Sequence, residues 1–62
     1  VVNTNVVIEK GCIINCGAII DHDCHIGKGC HICLSATIKA NNKIPACTKI
    51  KAGCVIENNT FI

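Results

Sequence analysis

A repeat of six residues constrains this chain more than any other feature. Counted from Val2, every sixth residue is aliphatic: Val2, Ile8, Ile14, Ile20, Ile26, Ile32, Ile38, Ile44, Ile50, Ile56 and Ile62. A period of six matches neither the 3.6 of an amphipathic helix nor the 2 of an ordinary strand, so both readings fail. Three places after the aliphatic residue stand Asn5, Gly11, Gly17, Asp23, Gly29, Asn41, Gly53 and Asn59. These residue types tolerate positive φ and suit a tight corner. The β-branched aliphatics favour strand between the corners. A short strand and a corner in every block describe an all-β fold, a parallel β-helix in which three blocks close one triangular coil and residues 18 apart stack. The ten blocks, Val2 to Phe61, make about three coils.

Composition agrees. Half of the residues are hydrophobic, yet Trp, Tyr and Met are absent and Phe61 is the only aromatic, so a core must come from small aliphatic side chains used repeatedly. The spacing never slips, and the expectation is a single domain over residues 1–62. At 62 residues a lone core is marginal, so that domain is expected to be a segment of a longer chain, with further coils or a partner covering its open ends.

Seven cysteines suggest a disulfide framework in so short a chain, but the count is odd, and Cys12, Cys24, Cys30 and Cys54 occupy the fifth place of their blocks, where Val6, Ala18 and Ala36 also stand. Free cysteine behaves as a small buried hydrophobe at such places. Reduced thiols and a cytoplasmic location are therefore expected. Asn42 breaks the fifth-place rule and needs hydrogen-bond partners, which corner carbonyls of adjacent coils can supply. Lys10 against Glu9, Asp21 and Asp23 leaves residues 1–25 at −2; Lys28, Lys39, Lys43, Lys49 and Lys51 against Glu57 leave residues 26–62 at +4. The C-terminal half attracts anions. The absence of arginine and of aromatic platforms argues against nucleic acid, and no stretch is long enough to span a membrane.

One polar cluster interrupts the rhythm. His22 stands between Asp21 and Asp23, and a histidine with a carboxylate to orient it is a candidate general base near neutral pH; a merely solvated corner is the competing explanation.

The run Ile14-Asn15-Cys16-Gly17-Ala18-Ile19-Ile20-Asp21-His22-Asp23-Cys24, followed by Ile26-Gly27 and Cys30-His31-Ile32, resembles the active-site segment of the sialic acid O-acetyltransferase and bacillosamine-type nucleotide-sugar N-acetyltransferase family. The whole chain resembles that family's left-handed hexapeptide-repeat β-helix. The resemblance implies transfer of an acetyl group from acetyl-CoA to a sugar hydroxyl or amine, by a homotrimer of side-by-side prisms. It makes His22 the base, Asp23 its orienting carboxylate, Asn15 a group lining the substrate site and His31 a contact to the acetyl donor. Ala40, where the family commonly has glycine, falls at the backbone approach to the acetyl carbonyl.

Half a coil separates His22 from His31, so within one chain the two cannot meet, and a site using both must lie between chains. Stacking by 18 puts Ala40 over His22, Lys43 over His25 and Lys49 over His31. Lysines thus continue the histidine columns, where the phosphates of acetyl-CoA can extend and Lys43 and Lys49 can contact them. His25 reads as a surface residue.

Two other functions compete. Cys24, His25, Cys30, His31 and Cys33 suggest a zinc enzyme, such as the carbonic anhydrases of this fold, but whole-block spacing sends them to successive sides of the prism. A trimeric scaffold without catalysis is the third, and it has no use for His22. A cysteine nucleophile is a weaker enzymatic route, because Cys24 and Cys30 face inward and Cys16, Cys33 and Cys47 have no basic neighbour in sequence.

Overall fold

The computed structural model describes residues 1–59. Phe61 and the aliphatic Ile62 lie outside the described residues. Nine two-residue strands follow in order: β1 (Val7–Ile8), β2 (Ile13–Ile14), β3 (Ile19–Ile20), β4 (His25–Ile26), β5 (His31–Ile32), β6 (Thr37–Ile38), β7 (Lys43–Ile44), β8 (Lys49–Ile50) and β9 (Val55–Ile56). They form three parallel sheets, β1-β4-β7, β2-β5-β8 and β3-β6-β9, here called the first, second and third faces. Val2 extends the third face through a bridge to Ile20. The chain is a parallel β-helix of about three coils.

Each strand has one inward and one outward residue. Ile20, Ile26, Ile32, Ile38 and Ile44 point inward and are at most 1% exposed. Each contributes about 2–3 kcal/mol through burial. The outward partners form columns: Val7, His25 and Lys43 on the first face; Ile13, His31 and Lys49 on the second; Ile19, Thr37 and Val55 on the third. At the start of the stack Ile8 is 36% and Val2 48% exposed, since no described coil covers their outer side.

Backbone bonding between coils follows a fixed rule. Amides of the outward strand residue and of the residue after each strand donate forward, to a carbonyl of the next coil lying just short of a full turn, as in Val7 N to Cys24 O and Glu9 N to Ile26 O, whereas the inward Ile20 N donates backward to Val1 O. Corner amides donate backward, to a carbonyl of the previous coil lying just past a full turn, as in Asp23 N to Thr4 O and Asn41 N to His22 O. The residue at this corner place has φ between 56° and 78° in every block from Asn5 to Asn59. Ser35 and Cys47 belong to this set, with φ of 56° and 61°; serine is a usual residue at this place of the repeat and cysteine is not. Neither is a natural left-handed residue, so both corners carry local strain.

Fifth-place side chains close the remaining gaps. The thiols of Cys12, Cys24 and Cys30 donate to Gly27 O, Lys39 O and Pro45 O of the following coil, at 3.1, 3.1 and 3.0 Å. Asn42, 2% exposed, does the same more strongly: its amide reaches Glu57 O at 2.7 Å and Lys39 O at 2.9 Å. The expected corner-carbonyl partners are therefore present. All seven cysteines are free, but Cys54 is exposed rather than buried because no described coil lies beyond it.

Ile32→Ala is expected to lower unfolding free energy by about 2–5 kcal/mol, and Ile8→Ala by clearly less, in chemical denaturation. Cys47→Gly relieves the corner and is expected to stabilise by up to about 1 kcal/mol, whereas Cys30→Gly destabilises.

Candidate active site

The edge joining the third face to the first carries His22. Three contacts hold its corner. Asp21 Oδ1 accepts from His22 N at 2.8 Å, a local turn bond that Asn3 and Asn15 repeat with Thr4 N and Cys16 N. Asn3 Nδ2 donates to the same Asp21 oxygen at 3.1 Å from the preceding coil, and Asn41 N reaches His22 O at 3.1 Å from the following one. Asp23 takes the left-handed conformation, φ 58°, which short polar side chains tolerate.

That turn brings Asp23 Oδ2 to 2.9 Å from His22 Nδ1. A carboxylate only accepts, so Nδ1 carries the hydrogen and Nε2 of the neutral ring is the basic nitrogen. Both side chains are about half exposed, 50% and 49%. The hydrogen bond to Asp23 raises the His22 pKa above its ordinary 6.5; desolvation opposes this, and the charges of Asp21 and Asp23 add to it.

The other expected residues divide by face. Ala40, 6% exposed, is one coil above His22 on the same edge. His31 and Lys49 are paired neighbours on the second face, across the prism from that edge. Asn15 follows β2 on the second face, with its Oδ1 engaged by its own corner. Lys43 is paired with His25 on the first face. Within one chain His22, Asp23 and Ala40 come together; Asn15, His31 and Lys49 share another face. His31 Nε2 is buried and finds no partner among the described residues.

His25 is not a plain surface residue. Its Nε2 hydrogen-bonds Glu9 Oε2, and the residue is half-buried. The two are 16 apart, a diagonal rather than direct stack, which reading by 18 passes over; Lys39 Nζ to Glu57 Oε1 at 2.9 Å is the direct kind. For the zinc alternative, His22, His25 and His31 occupy an edge and two different faces, and among the described residues no three His, Cys, Asp or Glu side chains gather into a group that could hold a metal ion. No described helix is long and apolar enough to cross a membrane.

No family model, curated protein or solved structure matches this chain.

Asp23→Asn is expected to bring the His22 pKa down toward 6.5, read from the imidazole resonances in an NMR titration. An unchanged titration would show that the pair is not formed in solution.

Proposed function

We propose that this β-helix belongs to an acetyltransferase that moves an acetyl group from acetyl-CoA to an amino or hydroxyl group of a sugar or nucleotide sugar. The observation that carries the proposal is the His22–Asp23 pair at 2.9 Å, with Nε2 left available on an accessible edge. The resemblance of the surrounding segment to the sugar acetyltransferases supplies the substrates.

In the proposed mechanism His22 Nε2 takes the proton from the acceptor as its oxygen or nitrogen attacks the thioester carbonyl. Asp23 stabilises the imidazolium that forms. A backbone N–H near Ala40 steadies the oxyanion, and the C–S bond then breaks. The imidazolium returns its proton to the departing thiolate, so base and acid are one group.

The site is completed by a second chain in a homotrimer. Three features support this. His22 and His31 occupy opposite parts of one prism; His31 Nε2 is buried without a partner among the described residues; and Ile13, Ile19, Leu34 and Val55, 55%, 44%, 50% and 51% exposed, are apolar side chains left open on the second and third faces and the corner between them. His22, Asp23 and Ala40 of one chain then face Asn15, His31 and Lys49 of the next. Lys49 meets the donor's phosphates, with Lys43 one face away.

His22→Ala in the full protein is expected to reduce acetyl transfer by about 10²–10⁴-fold with the fold and oligomeric state intact. Unchanged turnover, or full activity in a monomeric variant, would sink the proposal. Because the pKa of His22 is raised, the base is protonated below an inflection above 6.5, and the rate rises with pH through it. Asp23→Asn moves that inflection to lower pH.

A further inference from the structure

The first face carries a second concentration of polar groups, separate from the His22 edge. Glu9, His25, Lys28 and Lys43 border a groove of about 470 Å³, a size suited to a small organic molecule. Its floor is Gly27, Ile44, Pro45 and Ala46. Gly27 is required for the groove's shape: a Cβ there would stand 2.6 Å from Ala46 N, so two coils approach backbone to backbone. With no side chain between them, the floor stays low and the rim stays polar.

The charges on this rim do not cancel. Glu9 is engaged by His25, whereas the ammonium groups of Lys28 and Lys43 make no ion pair among the described residues. The lysines arrive from two successive coils, Lys28 on a corner and Lys43 on β7. Two cations above an apolar floor, with the rim carboxylate already committed, match a multiply charged anion attached to a carbon skeleton.

We propose that this groove binds the phosphoryl group of a small organic phosphate. Lys28 and Lys43 contact the phosphoryl oxygens, the floor receives the adjoining carbon skeleton, and Glu9 holds His25 along the rim. Neither His22 nor His31 lines it; of the residues expected at the donor phosphates it shares Lys43 alone, and the groove is read from its own lining and not from the acetyltransferase reading.

Calorimetry and NMR on the protein with pyrophosphate, uridine diphosphate and coenzyme A, each in turn, test this, with acetate as the carboxylate control. Saturable binding of at least one phosphate, shifting the resonances of His25 and Lys43, is expected; the tightest binder identifies the source of the phosphoryl group. Lys28→Gln with Lys43→Gln is expected to weaken that binding by about tenfold or more, from lost charge-assisted contacts. Lys51→Gln, outside the groove, leaves it unchanged. Absence of binding for all three phosphates overturns the proposal. So does equal affinity in the double variant, or acetate binding as tightly as pyrophosphate. All readouts are of binding, so loss of acetyltransferase activity in a His22 variant leaves them unaffected.

Discussion

The structure depends on one constraint, that each coil must satisfy the backbone of the next. Strands of two residues are too short to be stable by themselves. They persist because amides of the outward strand residues and of the residues just after each strand reach forward to carbonyls just short of a full coil, while corner amides, and that of the inward Ile20, reach back to carbonyls just past one. Both offsets hold only if the coil length is constant. A single inserted residue would shift every later isoleucine out of the core and every later corner out of its left-handed conformation. The unbroken spacing from Val2 to Ile56 is the sequence form of this requirement.

The interior shows how little variety such a constraint allows. Fifth places accept only small side chains, and Cys12, Cys24, Cys30 and Asn42 bond carbonyls of the following coil, whereas Thr48 bonds Pro45 O of its own. Cysteine here combines apolar volume with a weak donor, which accounts for its abundance without disulfides. Asn42 is the polar limit of the same device, acceptable because its amide is satisfied by Lys39 O and Glu57 O.

Chemistry is left to the outward columns and the corners. The corner geometry that the backbone demands also makes the His22–Asp23 pair, because the left-handed turn at Asp23 swings its carboxylate beside the neighbouring imidazole. A rigid prism also separates groups permanently. His31 sits on the far face from His22, and no side-chain rotation can unite them, which is why the proposed catalytic arrangement needs a second chain. The first face, with its low glycine floor and its two rim lysines, is a different chemical surface from the third, whose outward column is Ile19, Thr37 and Val55, and from the second, which sets Ile13 beside His31 and Lys49.

The order of residues alone determined the coil length, the inward isoleucines, the inward Cys24 and Cys30, the pairing of His25 with Lys43 and of His31 with Lys49, and the adjacency of His22 to its carboxylates. These follow from period and neighbourhood, which are one-dimensional quantities. The tertiary structure decided four matters. It placed Ser35 and Cys47 in left-handed corners, since the ladder forces that conformation whatever the residue type. It exposed Cys54, since burial depends on whether another coil lies above. It left His31 Nε2 buried without a partner among the described residues. It paired Glu9 with His25, because a side chain can lean across to a diagonal neighbour, and leaning is a property of space rather than of spacing.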